Sequence, residues 1–114
     1  MKIVINADYG GFGLSDEAMR VYGIKAGLNL VTEGPDQYGF THFYRDSVDE
    51  KNYFCSWDLK RDDLALVETV EEMGEKSWGR YSCLKVIDVP DGVEWVIEEN
   101  DGREWVAEVH RTWL

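Results

Sequence analysis

The chain has 114 residues, a formal net charge of −11 and two cysteines. Its length predicts a single domain over residues 1–114, too short for a two-domain enzyme. Residues 62–108 hold fourteen acidic and four basic side chains, so we expect no direct binding to a nucleic-acid backbone. No stretch resembles a signal peptide or a membrane span, so we expect no membrane partner. Cys55 and Cys83 lack metal-binding spacing, so we expect free thiols, and we expect no metal or cofactor.

A glycine-rich loop, residues 9–14, follows the first predicted strand. Residues 2–8 contain a β-branched run, and the loop holds three glycines and two aromatic rings. Ser15 is a favourable N-cap for a helix predicted over residues 16–26, and Gly27 suits the position just past its C-terminus. The pattern is strand, loop, helix, so backbone N–H groups and the positive end of the helix dipole are available to an anion or a carbonyl.

A purely structural turn, packed by Tyr9 and Phe12, is the alternative for this loop. The sequence has neither G-x-G-x-x-G nor Gly-Lys-Ser/Thr at this place, so no known phosphate-binding motif is matched. Asp8, Asp16 and Glu17 flank the loop and would repel a phosphate unless a basic side chain offsets them.

Extended and helical signals alternate through the rest of the chain. A second helix is predicted over residues 63–73, with Asp62 as N-cap and Gly74 as terminator. Its buried stripe contains Leu66, Val67, Val70 and Met73, and its glutamates form a solvated face. Strands or extended pieces are predicted over residues 28–31, 40–45, 53–57 and 84–89, with a polar loop at residues 46–52.

The last two strands are predicted to form a hairpin. A three-residue loop, Asn100-Asp101-Gly102, places Ile97 opposite Trp105 and Trp95 opposite Ala107, which keeps one face apolar. The other face would then be rich in carboxylates, with like charges across from each other. That face is a candidate protein interface, formed by Glu94, Val96, Glu98, Glu104, Val106 and Glu108. Two structural alternatives stay open: a basic side chain of this chain covers the face, or a helix packs over its valines.

The order of these elements predicts an α+β fold. We expect a mainly antiparallel sheet with two helices packed on one face and a C-terminal β-hairpin.

Two stretches also carry a resemblance to a known family. They are Ile5-Asn6-x-x-Tyr9-Gly10-Gly11-Phe12-Gly13-Leu14-Ser15 near the start and Glu104-Trp105-x-x-Glu108-x-His110-Arg111-Thr112-Trp113 at the end. In these motifs the chain resembles a family of small uncharacterised proteins of tailed phages and prophages. The resemblance implies a phage accessory protein in the host bacterial cytoplasm, where it would interfere with host defence.

Three functions from different classes follow. The first is binding, and sequestering, a small nucleotide-like ligand at the glycine-rich loop, with aromatic rings that stack and arginines that offset the carboxylates. The second is an acidic inhibitor that docks on a basic, nucleic-acid-binding surface of a host defence protein. The third is a small hydrolase; no nucleophile–base signature supports it, so no catalytic residue is assigned, and a homo-oligomer is left open. The residues assigned to ligand binding are Tyr9, Gly10, Gly11, Phe12, Gly13, Ser15, Arg61, His110, Arg111 and Trp113. For the tail, the alternative is that His110 is a hydrogen-bonded edge residue and Trp113 fills the core.

Overall fold

The computed structural model describes residues 1–109 and shows an α+β fold, as predicted. Its two α-helices are α1 (Asp16–Ala26) and α2 (Leu64–Met73). No helix within residues 1–109 is long and apolar enough to cross a membrane. The strands of the described chain are β1 (Lys2–Asn6), β2 (Leu30–Glu33), β3 (His42–Arg45), β4 (Tyr53–Phe54), β5 (Leu84–Asp88), β6 (Trp95–Asn100) and β7 (Arg103–Glu108).

The strands are divided among three small antiparallel sheets rather than gathered in one. β1 pairs with β5, β3 lies between β2 and β4, and β6 pairs with β7 as the predicted C-terminal hairpin. The two helices pack against each other, and α2 also contacts β1 and β5. The two-stranded sheets are too small to be stable alone, so they depend on packing against their neighbours.

Strand β1 is buried on both faces and joins two apolar clusters. Val4 belongs to the main core, with Leu66 and Tyr22 of the helices. Ile3 and Ile5 point the other way, into a second cluster that includes Trp95 and Val106 of the hairpin. Successive side chains of a strand alternate between faces, which is why this short run reads as continuously apolar.

The helix caps show where local sequence determines structure. Ser15 Oγ accepts a hydrogen bond from Ala18 N at 3.1 Å, and Gly27 ends α1 with a φ of 71°, as the sequence predicts. Helix α2 begins one residue later than predicted, because Asp63 rather than Asp62 is its N-cap, with Oδ1 accepting from Ala65 N at 2.9 Å. Both residues suit the position by type, and Asp63 is the one whose carboxylate also accepts a hydrogen bond from the Tyr22 hydroxyl, at 2.6 Å.

Several predicted strand limits are wrong by a few residues. Leu28 donates its N–H to Gly23 O and so belongs to the C-terminal capping motif of α1, and β2 therefore spans Leu30–Glu33. Residues 40–41 close a turn instead of starting β3. Strand β4 has two residues and is followed by a 3-10 turn at Ser56–Asp58.

The predicted hairpin register is also wrong. Ile97 pairs with Val106 and Glu98 with Trp105, so the loop is the two residues Asp101 and Gly102. These residues have φ angles of 51° and 87°, as a type I′ turn requires at both central positions. The predicted acidic face therefore does not exist, because Glu104 and Val106 face inward while Glu98 faces outward.

Candidate functional site

An open groove lies against the glycine-rich loop. We call it the aromatic groove; its volume is about 840 Å³. The glycine-rich loop and the first turn of α1 form one wall, and β3, β4 and the segment between β4 and α2 form another. The aromatic groove is lined chiefly by residues 10–17, 39–43, 53–57 and 78–82.

Four exposed aromatic side chains line the aromatic groove. Phe40, Tyr53, Tyr81 and Trp57 line it, and their exposed fractions run from 42% for Phe40 to 74% for Trp57. Scattered apolar side chains are ordinary on protein surfaces, but a contiguous set around a concavity is typical of a binding site. The rings offer flat apolar surfaces on which a planar group can stack.

A positive charge is fixed at the same wall. The guanidinium of Arg80 lies 4.3 Å from the centre of the Phe40 ring, and it donates hydrogen bonds to the carbonyl oxygens of Tyr38 at 3.1 Å and Gly39 at 2.9 Å. These contacts orient a side chain that is otherwise flexible, and they use two of its five N–H donors. Lys76 is a second basic residue on the groove.

A chain of three hydrogen-bonded side chains also reaches the groove. Asp36 Oδ1 accepts from Tyr38 N and Phe40 N, while Asp36 Oδ2 lies 2.9 Å from His42 Nε2. His42 Nδ1 lies 3.3 Å from the Tyr53 hydroxyl. The hydrogen bonds from His42 and from the Phe40 amide hold the pKa of Asp36 below its usual value, so this carboxyl is ionised.

The other side of the glycine-rich loop is closed by an anchor network of Asn6, Arg61 and Glu104. The Arg61 guanidinium donates two hydrogen bonds to the Glu104 carboxylate at 2.6 and 2.9 Å, and Asn6 N donates to the same carboxylate at 2.8 Å. Asn6 Nδ2 donates to the carbonyl oxygens of Asp8 and Gly102, and Asn6 Oδ1 accepts from Cys83 N. Within residues 1–109, every buried side-chain nitrogen or oxygen has a partner.

The glycines of the loop serve different purposes. A Cβ on Gly10 would lie 2.5 Å from the Tyr81 carbonyl oxygen, and one on Gly102 would lie 2.5 Å from Gly11 N. These two glycines are needed for packing within the chain. Gly11 and Gly13 have no atom within 4 Å of such a Cβ, and both line the groove. Only these two suit the interpretation that glycine clears space for a ligand.

The predicted ligand residues are not all brought to one place. Gly10, Gly11, Gly13 and Ser15 line the groove. Phe12 also lines it but is buried, with the Arg61 guanidinium 3.7 Å from its ring centre. The charge of Arg61 is committed to Glu104. His110, Arg111 and Trp113 lie outside the described residues.

Tyr9 stands apart from the groove. Its ring is 57% exposed and lies 6.0 Å from the Arg103 guanidinium at the start of β7. It therefore belongs with the hairpin side of the loop.

Sequence reasoning did not assign the opposite wall of the groove. The aromatic residues at 40–44 indicate a strand and do not by themselves indicate a binding surface. Nothing local indicates that this segment faces the glycine-rich loop, which is more than twenty residues away in sequence. The residues missed are Phe40, Tyr53, Trp57, Arg80 and Tyr81, together with His42 in its pairing with Asp36.

The predicted interface residues divide between the two faces of the hairpin. Glu104 is 8% exposed, and Val106 packs in the second apolar cluster. The outer hairpin face, defined by Glu94, Val96, Glu98, Trp105 and Val109, combines carboxylates with apolar side chains, and Arg103 lies at its turn end. Val96, Trp105 and Val109 are each between 41% and 46% exposed, and Trp105 Nε1 donates to Glu98 at 3.1 Å.

The cysteines and the carboxylates offer little further chemistry. Cys55 lines the groove, whereas Cys83 Sγ lies 3.5 Å from Asp8 Oδ2. Desolvation and the Asp8 carboxylate raise the pKa of Cys83, which lowers its thiolate fraction. Among residues 1–109, no cluster of three or more His, Cys, Asp or Glu side chains is arranged to hold a metal ion.

Comparisons of the chain with protein-family models, curated proteins and solved structures found no match.

Proposed function

We propose that this protein binds a small nucleotide-like ligand in the aromatic groove and acts as a phage accessory protein that sequesters it in the host bacterial cytoplasm. The observation that carries the proposal is a concavity of about 840 Å³ lined by exposed aromatic rings beside the glycine-rich loop. Small-molecule sites generally have volumes of roughly 300–1,000 Å³ and are mostly apolar with a few polar groups.

The two ends of such a ligand have different partners. Phe40, Trp57 and Tyr81 offer flat faces for a nucleobase. Arg80 and Lys76 offer positive charge for a phosphate, and Arg80 is already oriented by two carbonyl oxygens. Asp16 and Glu17 line the groove at the start of α1 and would repel an anion there, so we assign the phosphate end to the Arg80 side.

The proposal is tested first by finding what the protein carries. Native mass spectrometry of protein purified from phage-infected, defence-active cells is expected to show a retained small molecule. Calorimetric titration with nucleoside monophosphates and cyclic dinucleotides then measures affinity. We expect Trp57→Ala to weaken binding about tenfold or more, because stacking of one base contributes about 1–3 kcal/mol.

Trp105→Ala on the outer hairpin face is the matched control. It removes the same side chain at a half-exposed site away from the groove, so we expect unchanged affinity. Equal loss in both variants, or no binding of any compound by the wild-type protein, would count against the proposal.

A second candidate function is docking on a basic surface of a host defence protein. The observation that favours it is the outer hairpin face, where three exposed apolar side chains lie beside Glu94 and Glu98. Such a surface can combine burial of apolar area with charge complementarity. Here Trp105→Ala rather than Trp57→Ala would weaken binding, and affinity would fall with added salt.

A further inference from the structure

We propose that the aromatic groove is also a hydrolytic site, in which His42 is the general base that activates a water against a phosphoester of the bound ligand. This inference rests on the proposed function, because it needs the ligand's phosphate to lie beside Arg80. It assigns roles to Asp36, His42 and Arg80.

The hydrogen bonds determine which nitrogen of His42 is basic. Asp36 is ionised and can only accept, so the proton of a neutral imidazole lies on Nε2, 2.9 Å from Asp36 Oδ2. Nδ1 then carries the lone pair. Its neighbour, the Tyr53 hydroxyl, is 3.3 Å away, which is long for this bond, so a water can replace it.

Asp36 is well placed as the positioning residue. Its Oδ1 accepts the amides of Tyr38 and Phe40 at 2.8 and 3.0 Å, which leaves Oδ2 for His42. The carboxylate is thereby held in one orientation by the backbone, and it in turn orients the imidazole. A base oriented by a third group is the arrangement that activates nucleophiles in many hydrolases.

One turn, residues 36–40, holds both the base and the cation. Asp36 at its start binds His42, and the carbonyl oxygens of Tyr38 and Gly39 bind the Arg80 guanidinium, which stacks on Phe40. His42 and Arg80 both line the groove. The turn therefore positions a proton acceptor and a positive charge against the same space, as phosphoryl transfer requires.

The proposed reaction is hydrolysis of a phosphoester and needs no oxidant or reductant. A bond forms between the water oxygen and phosphorus, and the bond from phosphorus to the leaving oxygen breaks. The water proton passes to His42 Nδ1. The leaving oxygen departs in line on the opposite side of phosphorus and takes a proton from bulk water, and the imidazolium later releases its own proton to bulk water. The products are a phosphate and an alcohol, and Arg80 stabilises the charge on the phosphoryl oxygens.

The test uses the full chain with bis(4-nitrophenyl) phosphate, 4-nitrophenyl phosphate and the nucleotides that bind. We expect turnover by the wild-type protein and a fall of about a hundredfold or more in kcat for His42→Ala, the usual contribution of a general base. Binding of the nucleotide should change little. Added imidazole should restore part of the turnover of His42→Ala, a result that a structural role alone would not give.

Two further variants keep the test decisive. Asp36→Asn should lower kcat with little change in KM, since it acts through His42. If His42→Ala fails to fold, His42→Gln retains a hydrogen-bonding side chain for Asp36 and should show the same loss of turnover. Lys85→Ala, on an exposed position of β5, is the control and should turn over as the wild type does.

The outcomes separate the two proposals. Nucleotide binding with no turnover, or with turnover equal in wild type and His42→Ala, overturns the hydrolytic site and leaves the binding function standing. Absence of both binding and turnover overturns both.

Discussion

The two sides of the glycine-rich loop are built in opposite ways. On the hairpin side, Asn6, Arg61 and Glu104 are buried or nearly so, and Gly102 packs against the backbone of Gly10 and Gly11. On the groove side, Gly11 and Gly13 face open space and the rings of the opposite wall are exposed. A side that is fully paired holds the loop in place, and a side left open is available to a ligand.

This difference changes the interpretation of the loop. Its glycine content suggests one purpose, close approach of a ligand. A Cβ on Gly10, however, would collide with the Tyr81 backbone, and Gly102 packs against the backbone of Gly10 and Gly11. The ligand hypothesis therefore depends on Gly11, Gly13 and the aromatic wall. We expect substitutions on the hairpin side to affect stability and substitutions on the groove side to affect binding.

The largest effect is expected from Glu104→Ala. The substitution removes the acceptor of three hydrogen bonds and leaves the Arg61 guanidinium, 16% exposed, without its anion. Breaking a buried ion pair by removing one partner costs about 3–5 kcal/mol. Urea unfolding followed by circular dichroism measures the loss.

Glu99→Ala is the control for that experiment. Glu99 is the cross-strand neighbour of Glu104 but is exposed, so its substitution should change stability by less than about 0.5 kcal/mol. Similar values for the two variants would mean that the anchor network does not hold the hairpin against the loop.

Gly102→Ala should have the next largest effect, and Gly92→Ala isolates its cause. Both residues have positive φ, 87° and 82°, but a Cβ meets Gly11 N at 2.5 Å at residue 102 and nothing within 4 Å at residue 92. The left-handed conformation alone costs about 1–2 kcal/mol, and the clash should add about 1–3 kcal/mol. Thermal unfolding of the two variants gives the difference between their losses of stability. Equal losses would mean that the close contact between residue 102 and Gly11 N does not destabilise Gly102→Ala.

Tyr22 tests the main core, to which Phe12 of the glycine-rich loop also belongs. Burial, with a 2.6 Å hydrogen bond to Asp63, raises the pKa of Tyr22 to about 12 from 10.0. Because the folded state holds this proton more tightly, the contribution to stability is complete below pH 10 and is lost as pH rises toward 12. Burial also raises the pKa of Tyr53, so phenolate absorbance should show a late-titrating component of which Tyr22→Phe removes a part. Tyr22→Phe should lose about 1 kcal/mol of stability at neutral pH.

The smallest effect on stability is expected from Trp57→Ala. This side chain is 74% exposed, so the free energy of unfolding should change by less than about 0.5 kcal/mol. A cost of several kcal/mol would mean that Trp57 supports the fold, and the groove would then lose its principal stacking surface.

How far the sequence predicts this molecule depends on whether the relevant contacts are local. The Ser15 cap and the Gly27 end of α1 were predicted correctly, because both use hydrogen bonds within four residues. The hairpin register was not, because the predicted register was chosen to keep carboxylates off the inner face. Glu104 occupies that inner face because Arg61, forty-three residues away, pairs with it.

The candidate site follows the same rule. The composition of the sequence indicates the glycine-rich loop, whereas the wall that makes it a groove comes from residues 39–43, 53–57 and 78–82. Contacts between such distant segments have no local sequence signal, although the aromatic content of residues 40–44 marked one of them.

Amide chemical-shift mapping by nuclear magnetic resonance tests the central claim most directly. A nucleotide identified by calorimetry is titrated into the full chain, and the shifts of the two sides of the loop are compared. We predict the largest changes at Gly11, Gly13 and the Trp57 indole, with little change at the Trp105 indole. Changes confined to Trp105 and the hairpin, or none with any nucleotide, would contradict a ligand site on the open side.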